Sequence, residues 1–91
     1  MKPVIIVSTF PNKIITKKIA NALVKKKLAA CVNITKIDSV YSWKGKIQND
    51  SEYLAIFKTT KKNEKTLKNE IKKLHPYDVP EIAEINVNSM N

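Results

Sequence analysis

The stretch His75-Pro76-Tyr77-Asp78-Val79-Pro80-Glu81-Ile82 decides how the rest of the chain is read. It holds the only histidine, two of the four prolines and two carboxylates. Helical periodicity runs into it: Leu67, Ile71 and Leu74 recur at helical spacing, and Asn63 is placed to cap their helix. Strand-like alternation leaves it, with Ala83, Ile85 and Val87 interleaved by Glu84, Asn86 and Asn88. Pro76 stops the helix near Leu74, because a residue that precedes proline is pushed out of the helical region. The stretch therefore reads as a stiff connector between a second helix and a last strand.

Upstream, the same signals recur in a fixed order. Pro3 to Phe10 is apolar on both parities and rich in β-branched residues, as in a strand buried on both faces. Pro11 breaks this strand, and Asn12 can cap a first helix. From Lys13 to Lys27, Ile15, Ile19, Ala22 and Leu23 share one helical face, with lysines gathered at the C-terminal end, where the helix dipole favours cations. Val32 and Ile34 then alternate with Cys31 and Asn33, but Ile37, Ser39, Tyr41 and Trp43 continue on the other parity, so a bulge or break is expected at Thr35-Lys36. The sole glycine, Gly45, marks a hairpin turn, and Ile47 to Thr60 forms the return strand.

The order β-α-β-β-α-β defines one ferredoxin-like α+β sandwich over residues 1–91, with two helices on one face of a mostly antiparallel sheet. Strands one and three are apolar on both parities, and the chain has no further element to cover the second sheet face. A homo-oligomer that buries this face is the expected answer.

Composition excludes several classes. With 91 residues and one cysteine, neither a second domain, an internal disulfide nor a Cys/His zinc site can be built from one chain. No apolar run approaches membrane-spanning length and Met1-Lys2-Pro3-Val4 does not read as a signal peptide, so no membrane partner and a cytoplasmic location are expected. The formal charge of +9 raises nucleic acid as a partner, yet every basic residue is lysine. Arginine is the residue suited to bidentate phosphate and guanine contacts. Tyr53 and Phe57 share one parity of strand three, as in RNA-recognition modules of the same element order, but the Lys/Arg-Gly-aromatic signature is missing. No specific nucleic acid is expected. Without a nucleophile motif or a glycine-rich phosphate loop, no catalytic activity is expected either.

Four blocks carry a resemblance: Leu28 to Ile34, Ser39 to Ile47, Phe57-Lys58-Thr59, and His75 to Ile82. In this order and spacing the chain resembles the CutA divalent-cation tolerance proteins over nearly its whole length. The resemblance implies a ferredoxin-like subunit in a tight homotrimer, similar in architecture to the PII signalling proteins, with a role in tolerance of copper and other divalent metals. It also implies that Cys31 matches a cysteine proposed as a metal ligand. Two departures accompany it. Ile34-Thr35-Lys36-Ile37 lacks the Pro-Gly many members place there. The aromatic-rich segment that usually follows the last matched strand is expected to be absent or shortened at Ser89-Met90-Asn91.

Residue chemistry singles out the candidate residues. Cys31 reads either as a small buried hydrophobe or as a soft thiolate ligand for copper. His75 is either a helix-end cation or an imidazole ligand, with Asp78 and Glu81 adding oxygens; Glu81 has a second reading, an ion pair with Lys58. Tyr41 and Trp43 read as intersubunit packing or, together with Tyr77 of the proline-bounded stretch, as the wall of a ligand cleft. Lys46 and Lys58 could hold an anionic ligand there. This last reading defines the alternative function, a PII-like small-molecule sensor or protein-partner scaffold.

Overall fold

Buried and half-buried residues alternate without exception along β1 (Pro3–Phe10), and this one strand sets the two faces of the sheet. The computed structural model describes residues 2–88; the expectation for Ser89-Met90-Asn91 lies outside the described residues. The other elements are α1 (Lys13–Lys25), β2 (Cys31–Trp43), β3 (Lys46–Thr60), α2 (Glu64–Leu74) and β4 (Ile82–Asn86). The sheet order is β2-β3-β1-β4, and every neighbouring pair is antiparallel. This is the ferredoxin-like sandwich expected from the sequence.

Val4, Ile6 and Phe10 of β1, with Ala55 and Phe57 of β3, meet Ile19 and Leu23 of α1 and Leu67 and Ile71 of α2 in a single core. On the opposite parity, Ile5 and Val7 lie in register with Lys58 and Ile56 of β3 and with Ile85 and Ala83 of β4. This second face is apolar in its centre, and neither helix covers it. Ile85 remains 49% exposed. The position of Phe57 corrects the RNA-module reading. Phe57 is fully buried under the helices, so the aromatic parity of β3 faces the core instead of offering a stacking platform on the open face.

Local chemistry fixes the ends of the elements. Asn12 accepts the Ile15 N–H at 2.9 Å and starts α1. The helix ends at Lys25, two residues short of the expected limit. Lys27 takes a left-handed conformation (φ 62°), and the Leu28 N–H returns to the Leu23 carbonyl at 3.1 Å. This closure satisfies orphan carbonyls with a lysine where glycine is usual. Asn63 occupies the cap position of α2, but its side chain makes no cap bond. Lys44 and Gly45 both take positive φ (51° and 77°), the requirement of a two-residue I′ hairpin turn.

Thr35-Lys36 is not a bulge. The β2–β3 register runs unbroken from Cys31↔Lys58 to Trp43↔Lys46. The apolar residues change parity there because β2 leaves the helix-covered layer: Val32 and Ile34 pack against the core, whereas Ile37 belongs to the open face. On β4, Glu84 turns to the helix side and binds Lys68 Nζ at 2.8 Å. Lys68, and at longer range Lys61, hold the Glu84 carboxyl down at about 2. The pair is half-buried and still in contact with water, so it orients β4 against α2 more than it stabilises it.

Phe57 sits at the centre of the core beside Ile6 and Val32 in register. Its truncation in Phe57→Ala is expected to cost about 3–5 kcal/mol, read as a lower denaturant midpoint at fixed protein concentration.

Candidate functional site: an acidic cleft at the rim of the open sheet face

Beyond the helix-covered layer, the β2–β3 hairpin and the connector 75–82 stand on either side of a cleft of about 720 Å³. Its position depends on His75. The ring is buried and stacked on Phe10, with centroids 4.3 Å apart. Nε2 lies 2.9 Å from the Thr9 carbonyl, which can only accept, so Nε2 carries the proton. Nδ1 is then the acceptor of the Tyr77 N–H at 3.2 Å. The Ser8 hydroxyl, 3.1 Å from Nε2, donates to the Glu81 carbonyl at 2.6 Å. Both ends of the connector are thus bonded to the last residues of β1. Burial lowers the His75 pKa from its ordinary value, opposed by the Thr9 carbonyl and the Glu52 charge.

The hairpin wall presents Tyr41 and Trp43 of β2 and Gln48, Asp50 and Glu52 of β3. Odd positions of β2 face the open side together with even positions of β3, which is why these side chains converge. The Tyr41 hydroxyl donates to Asp50, and the Tyr77 hydroxyl donates to Glu52 Oε2 at 2.8 Å. Each phenol is held above its ordinary pKa: Tyr41 chiefly by its bond to Asp50, Tyr77 chiefly by burial and then by Glu52. Both remain donors, and the second bond ties the connector across to the hairpin.

Four carboxylates line the cleft: Asp50, Glu52, Asp78 and Glu81. Among the described residues no lysine lines it. The chain has eight acidic residues in all and a charge of +9, so half of its acids gather where no cation stands. Three of the remaining acids, Glu64, Glu70 and Glu84, are paired with lysines. The cleft is a local well for positive charge.

The structure brings together Tyr41, Trp43, Tyr77, Asp78 and Glu81 from the residues expected by sequence, and separates the rest. His75 underlies the connector with both ring nitrogens engaged, so as folded it has no lone pair free for a metal. Cys31 is exposed, which corrects its reading as a buried hydrophobe. It lies on the open face beside Lys58, ten strand residues or roughly 33 Å from Tyr41. Cys31, His75, Asp78 and Glu81 therefore do not assemble within one chain, and no group of three or more His, Cys, Asp or Glu side chains able to hold a metal occurs among the described residues. Lys58 lies opposite Ile5, whereas Glu81 continues β4 past the Ser8↔Ile82 pair, so the expected Glu81–Lys58 ion pair is not formed. Lys46 pairs with Trp43 at the hairpin tip but stays outside the cleft, and it is Lys44 whose ammonium lies 5.7 Å from the Trp43 ring. A cleft without Lys46 or Lys58 does not suit the anionic ligand expected from them. Sequence reading misses Asp50, Glu52 and Gln48. Their shared parity, opposite Tyr41 and Trp43 across the turn, is the signal that could have found them.

Fold and site together define a small ferredoxin-like domain with an uncovered apolar sheet face and a carboxylate-lined cleft at its rim. Residues 4–91 match the family model of the CutA1 divalent ion tolerance protein. The chain is 45% identical over 87 residues to the divalent-cation tolerance protein CutA of Thermotoga maritima, covering 96% of this chain and 86% of that one. The crystal structure of CutA1 from Oryza sativa superposes with a TM-score of 0.95 at 40% identity, covering 100% of this chain and 84% of that one. CutA1 from Pyrococcus horikoshii gives 0.93 at 41% identity, with 97% and 86% covered. The chain belongs to the CutA divalent-cation tolerance family. These relatives are named for metal tolerance and not for a reaction.

The buried histidine makes stability depend on pH. Its folded pKa lies below the unfolded value of about 6.5, so the unfolded chain binds the proton first. Stability is complete above about pH 6.5 and falls as pH drops from there toward the lower folded value. Urea midpoints measured from about pH 8 to 5 should show this slope, and His75→Gln should flatten it while lowering the plateau.

Proposed function

We propose that the chain works as a homotrimeric, cytoplasmic binder of divalent cations, copper among them, and that the acidic cleft is where a cation is captured. The observation that carries this reading is the placement of Asp50, Glu52, Asp78 and Glu81 around one cleft in an otherwise lysine-rich chain. Carboxylate and phenol oxygens suit hard divalent cations better than soft ones. The cleft supplies charge and some oxygen donors, and water completes the coordination. Self-association is supported by the uncovered rows of Ile5, Val7, Leu54 and Ile56, which a second and third copy would remove from water. The exposed thiol of Cys31 suits a reducing compartment.

Cu(II) and Mn(II) are paramagnetic quenchers, and Trp43, the only tryptophan, lines the cleft. Titration of either ion should quench its fluorescence. The double variant Asp50→Asn/Glu52→Gln should weaken the apparent affinity at least about tenfold, as expected from removing two charged donors. Cys31→Ser should leave the cleft titration unchanged. Copper binding lost in Cys31→Ser and retained in the double variant would move the site away from the cleft.

Assembly has its own test. Light scattering at micromolar concentration should give three times the chain mass, and Val7→Lys/Ile56→Lys should give monomers. A clean monomer for the unsubstituted chain rejects the assembly.

A further inference from the structure

A second hollow, of about 460 Å³, has the opposite chemistry. It lies on the helix side of the sheet, at the β2 edge. Lys13 and Lys17 of α1, Lys36 and Thr35 of β2 and Tyr53 of β3 line it, over Ile34. Lys13 and Lys17 are one helical turn apart and share a face. Lys36 and Tyr53 are partners in the β2–β3 register, on the same parity as the core residues Ile34 and Ala55. One turn of α1 and one rung of the sheet therefore bring three ammonium groups around one concavity.

The charges there are uncompensated. Among the described residues no carboxylate lines the hollow. Asp38, the next residue on the same parity of β2, lies one rung beyond Lys36 and is not part of the lining. Three lysines elsewhere meet acids: Lys26 with Glu70, Lys61 with Glu64, Lys68 with Glu84. Lys13, Lys17 and Lys36 enter no ion pair among the described residues. The first turn of α1 also carries no acidic residue, so the positive end of the helix dipole adds to the same potential.

We propose that this hollow binds the phosphate chain of a small polyphosphate ligand. Lysines are flexible point charges and not planar forks, so they suit a run of phosphoryl oxygens better than a single carboxylate. The volume falls in the range of small-ligand sites. Three cations match the charge of a di- or triphosphate, and Tyr53 supplies an aromatic wall for an attached ring. The site is independent of the cation cleft: it lies on the opposite side of the sheet, takes ligands of the opposite sign and shares none of the cleft residues.

The test is calorimetric titration of the metal-free full chain, at physiological salt, with tripolyphosphate, ATP and adenosine. Both polyphosphates should saturate one site per chain and adenosine should not bind. Lys17→Gln and Lys36→Gln should each weaken binding at least about tenfold, while Lys72→Gln, the same charge change on exposed α2, leaves it unaltered. ATP tighter than tripolyphosphate, with the difference lost in Tyr53→Leu, identifies a nucleotide; equal affinities identify an inorganic polyphosphate. Absence of saturation, or equal weakening in Lys72→Gln, overturns the proposal by reducing the hollow to diffuse lysine electrostatics. So does binding confined to oligoribonucleotides.

Discussion

The His75 imidazole is the contact on which the functional end of the molecule depends. A proline at the start of a helix-to-strand connector fixes local backbone angles, but it does not say where the connector lies. His75 does. Its Nε2 proton goes to the Thr9 carbonyl, its Nδ1 takes the Tyr77 N–H, and its ring stacks on Phe10. These contacts hold the connector against the end of β1, and the Ser8 bond to the Glu81 carbonyl holds it again at the far side. A buried polar ring with every hydrogen-bonding atom used is rigid as well as satisfied. That rigidity is passed to the Tyr77 hydroxyl and so to Glu52 across the cleft. The residue with the strongest prior as a metal ligand is the one that positions the wall.

Charge in this protein is sorted by place. The lysines are numerous, but Lys26, Lys61 and Lys68 are paired with Glu70, Glu64 and Glu84, and the cleft residues meet none. Net charge therefore says little about any one surface. A chain at +9 presents a negative cleft at one end of its open sheet face and a lysine hollow on the other side of the sheet. On the proposed function, long-range attraction of a metal cation would work against the overall charge, so capture would depend on short-range carboxylates within a Debye length of about 8 Å at physiological salt.

The fold was legible because its signals are local and repeated. Pro76 ends α2, Gly45 turns the hairpin, and two-faced apolar strands at Val4 to Val7 and Leu54 to Phe57 announce a sheet with both sides covered. The site was legible only in part. Tyr41, Trp43, Tyr77, Asp78 and Glu81 do meet, since they flank a turn or share the connector. Ligand chemistry alone groups Cys31 with His75, and the sheet places them on opposite faces. Asp50 and Glu52 lie within the return strand, where no motif marks them. Their role comes from register, a pairing between residues nine and more positions apart that no local pattern encodes. The parity shift at Thr35-Lys36 is real, but its cause is not a bulge. The strand runs on, and the layer that covers it ends.

That ending has a consequence for how assembly and cation capture relate. The apolar rows Ile5, Val7, Leu54 and Ile56 and the cleft residues Thr9, Glu52 and Tyr41 occupy the same face of the same sheet. On the proposed trimer, burying the first set brings a neighbouring subunit up to the rim of the second. Water is then removed from one side of Asp50, Glu52 and the connector carboxylates. Carboxylates that lose water must gain either protons or a counter-cation. Tyr41 and Tyr77 already donate one hydrogen bond each, which stabilises the charged carboxylates without neutralising them. Assembly would therefore sharpen the preference of the cleft for a cation. On that proposal, one event, self-association, would both cover the open apolar face and enclose the acidic cleft at its rim.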